Sequence, residues 1–243
     1  MIVENELLAY PKYKIFQDPE RFNFSLDSML LGYFATVNKK MKNVVDLCTG
    51  NAPIPLYLTL RTKAFITGVE IQKNSFDLAV KSVKINNKED QIKILNDDVK
   101  KISQKLGHQS CDLVTCNPPY FKYKETSNIN KNEALTIARH EVLLTLDDVC
   151  KEASLLLNNG GYFAMVHRPE RFLEIIDCLR KYRLEPKRVQ FVYPNKDSTA
   201  NHLLIEAKKN GNPGLTFLKP LIVYEKPGIW SKEILEIYNL KEE

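Results

Sequence analysis

The sequence predicts an α/β fold, a doubly wound and mostly parallel sheet of seven strands. Three observations predict it. Short and nearly continuous apolar runs recur between residues 43 and 207, as strands buried on both faces require. Segments with helical spacing separate the early runs, giving the alternation that parallel crossovers need. Several runs end in an acidic or amide residue followed by a turn, which is where this architecture holds ligands.

In chain order, Leu26–Val37 is apolar at helical spacing, with Ser25 or Asp27 available as its N-cap. Strands are expected at Asn43–Cys48, Ala64–Glu70, Gln91–Asn96, Asp112–Cys116, Gly161–His167, Val189–Tyr193 and His202–Ala207. Helices are expected at Pro53–Arg61, Lys73–Asn87, Leu146–Asn158 and Pro169–Tyr182, with Gly160-Gly161 as a helix stop. After Ala207 the run KKNGNPG reads as turn, PLIVYE as a short strand and SKEILEIYNL as a closing helix. No repeat or linker divides residues 1–243, so one domain is expected, with extensions at 1–42 and 208–243.

Composition narrows the function. The chain has 243 residues and a net charge of +5, which permits an anionic partner without demanding one. Five cysteines, none in a C-x-x-C pair, argue against a disulfide framework or zinc site and for free thiols in a reducing compartment. No apolar run approaches a membrane span and the start lacks a signal peptide's apolar stretch, so a cytoplasmic protein without membrane, metal or obligatory protein partner is expected.

The first strand runs into Asp46, then Thr49, Gly50 and Asn51 before a helical pattern. Gly50 lets backbone approach a ligand closely. Neither the G-x-G-x-x-G fingerprint nor a phosphate loop is present, so a diphosphate is not the obvious ligand. Glu70 ends the second strand 20 residues after Gly50, where nucleotide-binding α/β proteins place a carboxylate on ribose hydroxyls. Asp97-Asp98 follows the third strand, and a carboxylate there can hold an adenine amino group. Each acid alone reads more readily as a helix cap; three successive strands ending this way favour a crevice. The fourth strand ends in Asn117-Pro118-Pro119-Tyr120. Two prolines stiffen the turn, so that an amide and a backbone carbonyl can accept the hydrogens of a planar amine beside an aromatic ring.

These residues resemble the class I S-adenosylmethionine-dependent methyltransferases that methylate planar exocyclic amines. Further segments resemble one subgroup, the bacterial tRNA-valine adenine N(6)-methyltransferases acting at anticodon-loop position 37. They are residues 17–27, 138–141, 167–171, 184–188 and 220–225. The resemblance covers nearly the whole chain and implies a Rossmann-like methyltransferase fold. It implies that Asp46 and Thr49–Asn51 hold the methionine end of the cofactor, Glu70 its ribose, and Asp98 with Val99 its adenine. Phe24, Ser25 and Asp27 resemble the motif that closes over the cofactor. Asn117 and the Pro118 carbonyl would receive the amine, with Pro119 stiffening the turn and Tyr120 stacking on the base. Cys48 and Ala52 stand where most relatives carry glycine, and Asp97 replaces a common glycine.

The implied partner is the anticodon loop of valine tRNA. RNA contacts are expected from the loop after Tyr120, with Lys122, Lys124, Lys131, Arg139 and His140, and from the basic stretch 167–190, including Arg168 and Arg171. That stretch reads equally well as a solvated face. His140 and His167 are general-base candidates by type alone. The residues leave open another planar amine, in rRNA, DNA or a protein glutamine, and an RNA-binding protein without catalysis.

Overall fold

A computed structural model describes residues 2–8, 10–19, 26–118, 120 and 144–237. The chain opens with an antiparallel hairpin, β1 (Val3–Leu7) and β2 (Tyr10–Gln17), which the sequence pattern did not disclose. Helix α1 spans Leu26–Phe34, followed by β3 (Asn43–Leu47), α2 (Pro53–Thr59), β4 (Phe65–Glu70), α3 (Lys73–Ile85), β5 (Ile92–Asn96), the short α4 (Ile102–Leu106) and β6 (Cys111–Cys116). Beyond residue 143 come α5 (Leu146–Leu156), β7 (Leu157–His167), α6 (Phe172–Lys181), β8 (Leu184–Tyr193) and β9 (His202–Lys209). The two-residue strands β10 (Thr216–Phe217) and β11 (Leu221–Ile222), the hairpin of β12 (Tyr224–Lys226) and β13 (Ile229–Trp230), and α7 (Lys232–Ile237) complete the described chain.

Seven strands form the body of the sheet in the order β5-β4-β3-β6-β7-β9-β8, and β10 and β11 extend the free edge of β8. All neighbours are parallel except across β9, which runs antiparallel to both β7 and β8. The expected doubly wound, mostly parallel sheet is therefore present, and the chain's direction of travel reverses between β3 and β6.

Burial on both faces explains the continuous apolar strands. Val44, Ile66, Leu113, Ala164 and Leu204 pack with α1, α2 and the hairpin, whereas Val45, Val69, Val114, Met165 and Ile205 pack with α5 and α6. Alternate side chains of one strand thus serve two cores.

Three local expectations are corrected. Gly160-Gly161 does not stop a helix: α5 ends at Leu156 and both glycines lie within β7, where the pairing with β6 slips and Gly160 takes φ +78°. Asp27 does not cap α1; it lies in the helix's first turn. Residues 169–171 form a 3₁₀ turn that leads into α6.

Two arginines hold the end of helix α1. Arg61 Nη1 donates to the carbonyls of Gly32 (2.6 Å) and Ala35 (2.9 Å), and Arg188 donates to that of Phe34, satisfying carbonyls left over at the helix end. Buried Glu206 accepts from Arg188 Nε at 2.8 Å and from Thr36 N and Oγ1, both at 2.7 Å. At Gly32 a β-carbon would stand 2.7 Å from Tyr57 Cβ, so α1 and α2 touch backbone to side chain. Among the described residues no helix is long and apolar enough to cross a membrane.

Candidate active site

The reversal between β3 and β6 makes their carboxyl ends the place where sheets of this kind form a crevice. Asp46 of β3 is fully buried beside Thr115 of β6, its register partner. Thr115 Oγ1 donates to Asp46 Oδ1 at 2.5 Å and Thr49 Oγ1 to Oδ2 at 2.6 Å. Burial nonetheless pushes the carboxyl up to about 7, opposed by both hydroxyls and reinforced by the nearby Glu70. The turn that follows carries three left-handed residues: Cys48 (φ 57°), Gly50 (φ 58°) and Ala52 (φ 70°). Cys48 and Ala52 therefore keep a glycine-like backbone despite their side chains. A methyl group on Gly50 would meet nothing within 4 Å, so the turn faces open space.

Glu70 faces the same turn. Its Oε2 accepts from Gly50 N at 2.9 Å and its Oε1 from Gln72 N at 2.8 Å, while burial raises its pKa. Each oxygen retains acceptor capacity for a further donor. Asp97 and Asp98 divide their work. Asp97 pairs with Lys105 at 2.5 Å, which holds its carboxyl below the ordinary range, and its amide donates to the Glu70 carbonyl. Asp98 Oδ1 accepts from Lys100 N, and Val99 is buried behind it. Asn51 is committed elsewhere: its Nδ2 donates to the Phe16 carbonyl at 2.8 Å, tying the hairpin to the crevice.

At the end of β6, Asn117 and Tyr120 meet side chains from two distant elements. The Tyr120 hydroxyl lies 2.6 Å from Asn117 Oδ1 and 2.8 Å from Asp27 Oδ2, and burial with the Asp27 charge keeps the phenol protonated well above its ordinary range. Asn117 Nδ2 reaches Ser28 Oγ at 3.5 Å. His202, first residue of β9, places Nε2 3.1 Å from Asp27 Oδ1. The His167 ring packs 5.4 Å from the Tyr120 ring, centre to centre. Burial lowers the His167 pKa to about 3, and its Nδ1 accepts from Arg168 N, so this imidazole is neutral.

Of the sequence-chosen residues, the structure gathers Asp27, Asp46, Thr49, Gly50, Glu70, Asn117 and Tyr120 around one crevice edge. Phe24, Ser25, Pro119, Lys122, Lys124, Lys131, Arg139 and His140 lie outside the described residues. Arg171 donates to Glu174 (2.7 Å) and to the Tyr120 carbonyl (3.2 Å), bracing the turn from the 3₁₀ segment before α6. Arg168 donates to the Asn201 carbonyl. Sequence reasoning missed Ser28, Thr115 and His202. Nothing local marks His202; it arrives because β9 is inserted antiparallel beside β7, with Leu203 opposite His167.

The switch point of this doubly wound sheet is flanked by Asp46, Glu70, Asn117 and Tyr120. Residues 27–183 match the methyltransferase small domain, and the chain belongs to that family. It is 26% identical to a tRNA1(Val) (adenine(37)-N6)-methyltransferase of Parabacteroides distasonis, over 83% of each chain. It is 25% identical to one of Porphyromonas gingivalis, over 96% of this chain and 93% of the other. Among solved structures, a predicted O-methyltransferase of Agrobacterium tumefaciens superposes with a TM-score of 0.70, at 21% identity, over 88% of this chain and 96% of the other. A 16S rRNA N2 G1207 methyltransferase of T. thermophilus, bound to AdoMet and guanosine, gives 0.57 at 19% identity, over 86% of this chain and 50% of the other.

Proposed function

We propose that this protein transfers a methyl group from S-adenosylmethionine to the 6-amino group of adenine 37 in valine tRNA, in the cytoplasm. The observation that carries the reading is the Asn117–Tyr120 turn, braced by Arg171 and set beside the Asp46–Glu70 crevice. The crevice fits the cofactor: two buried carboxylates with spare acceptor capacity flank a turn that opens on free space. Glu70 would take the ribose hydroxyls, Asp46 and the Thr49–Asn51 backbone the methionine end, and Asp98 with Val99 the adenine. The sulfonium supplies an activated methyl group when bound.

The chain's own task is orientation. An adenine amine is a weak nucleophile because its lone pair is conjugated with the ring. Accepting its hydrogens at Asn117 Oδ1 and the Pro118 carbonyl aims that lone pair out of conjugation. Orientation of this kind contributes about 7–11 kcal/mol in well-aligned systems. Extruding a base costs a few kcal/mol in a duplex and less in a loop, offset in part by stacking on Tyr120. The names borne by the two curated relatives support the valine tRNA as substrate.

The test is transfer of labelled methyl into a valine tRNA transcript, compared with one carrying guanine at position 37. Label only in the adenine transcript, recovered as N(6)-methyladenosine, is expected; equal labelling refutes the position. Asn117→Ala should lower kcat at least about a hundredfold while cofactor Kd stays within about threefold. Unchanged turnover would remove Asn117 from the mechanism.

A further inference from the structure

We propose that Asp27 and His202 are positioning residues for the Asn117 carboxamide, acting by drawing the Tyr120 hydroxyl proton away from it. The inference rests on the amine-transfer reading above. A phenol carries one proton, yet the Tyr120 hydroxyl stands within hydrogen-bonding distance of two acceptors, Asn117 Oδ1 at 2.6 Å and Asp27 Oδ2 at 2.8 Å. The two choices differ at the oxygen that the target amine needs. Donation to Asn117 fills Oδ1 with an internal donor. Donation to Asp27 turns the hydroxyl–Oδ1 contact into oxygen against oxygen, which opens and leaves Oδ1 to the amine.

Charge decides between them. A carboxylate is a stronger acceptor than a carboxamide, and His202 Nε2, 3.1 Å from Asp27 Oδ1, occupies the far oxygen so that Oδ2 is presented to Tyr120. His202 is itself held at Nδ1, 3.0 Å from Asn201 Oδ1. Other contacts keep the ring from following either acceptor freely: His167 packs against it and Arg171 holds the Tyr120 carbonyl. The line His202–Asp27–Tyr120–Asn117 thus connects β9 and α1 to the end of β6. It gives the Asp27 carboxylate a task at the amine side of the crevice.

A double-mutant cycle tests this. Asp27→Asn keeps the size of the side chain and removes the charge. It should lower kcat about tenfold with KM for RNA and cofactor within about threefold, and His202→Gln should act in the same direction. In a Tyr120→Phe background Asp27→Asn should change kcat by less than about twofold, because no hydroxyl remains to be drawn away. Equal losses in both backgrounds, or a rise in cofactor KM in place of the fall in kcat, overturn the proposal. A readout free of substrate separates this outcome from failure of the functional reading. The side-chain amide resonance of Asn117, assigned by its loss in Asn117→Ala, should shift on Asp27→Asn and should not shift in the Tyr120→Phe background. A resonance indifferent to Asp27 refutes the coupling whatever the substrate. A coupled resonance in a protein that methylates no planar amine refutes only the assigned reaction.

Discussion

Asp46 carries a proton through a pH range in which an ordinary aspartate has lost it. Its carboxyl is lifted from 3.8 to about 7 because burial disfavours the charge more than two threonine hydroxyls favour it. Between these values the folded chain holds more protons at this site than the unfolded chain. Stability from this group therefore falls as pH rises from about 4 to about 7, the reverse of a salt-bridged aspartate. Asp46→Asn abolishes that dependence: urea unfolding at pH 5 and pH 8 should show wild type losing stability relative to the variant, and a constant gap would refute it. A cationic ligand over Asp46 favours the ionised form, so affinity for such a ligand should climb through the same interval. Asp46 and Glu70 were legible from sequence because they end strands at fixed spacing. Their protonation was not, since it depends on how completely the neighbouring strands enclose them.

At the scale of elements, the crevice depends on pieces anchored far from it. Asn86 imitates a strand: its Oδ1 accepts from Lys14 N at 2.9 Å and its Nδ2 donates to the Lys14 carbonyl at 2.6 Å, docking β2 on α3. Ser82 Oγ accepts from Phe16 N in the same row. Asn86→Ala should cost about 1–2 kcal/mol and speed hydrogen exchange in residues 3–17 while leaving the central strands protected. Glu206→Ala strands Arg188 and Thr36 at the end of α1 and should destabilise by about 3–5 kcal/mol in chemical denaturation, as broken buried pairs do. The order of strands and helices from β3 to β9 was readable from periodicity, most boundaries falling within a few residues. The hairpin was not, because its strands alternate weakly, with Glu4, Asn5 and Glu6 all exposed on β1. Buried Leu7 and Ile15 seat it on the core, and side-chain mimicry of backbone, which leaves no periodic trace, adds to that anchoring.

For the whole molecule, a net charge of +5 says little until the partners of each cation are known. Four cations of the basic stretch 167–190 have carboxylate partners within the chain: Arg171 on Glu174 and Arg188 on Glu206 are largely covered, whereas Arg180 on Glu185 and Lys181 on Asp147 form exposed pairs. We propose that the stretch serves mainly as a structural face, with Arg171 and Arg188 held at low exposure by their partners. The salt dependence of RNA binding should then come mainly from elsewhere, and the stretch after Tyr120 is the proposed source. Replacing Lys122 and Lys124 by alanine should flatten the slope of log affinity against log salt by about 1.4–1.8, two phosphate contacts' worth. Replacing Arg180 and Lys181 should leave it nearly unchanged, and the opposite result would move the RNA path onto α6.

The antiparallel insertion of β9 has a consequence for the order in which the protein is made. During synthesis every parallel strand of the body has left the ribosome before β9 emerges, and β7 and β8 have no neighbour between them until it arrives. The same strand brings His202 to Asp27. A nascent chain stopped before residue 202 has Asp46, Glu70 and Asn117 in sequence but an incomplete sheet, and it lacks the His202 contact to Asp27. Closing the sheet and completing the polar line to Asn117 are one event, so a half-made chain has no finished centre with which to modify the RNA around it.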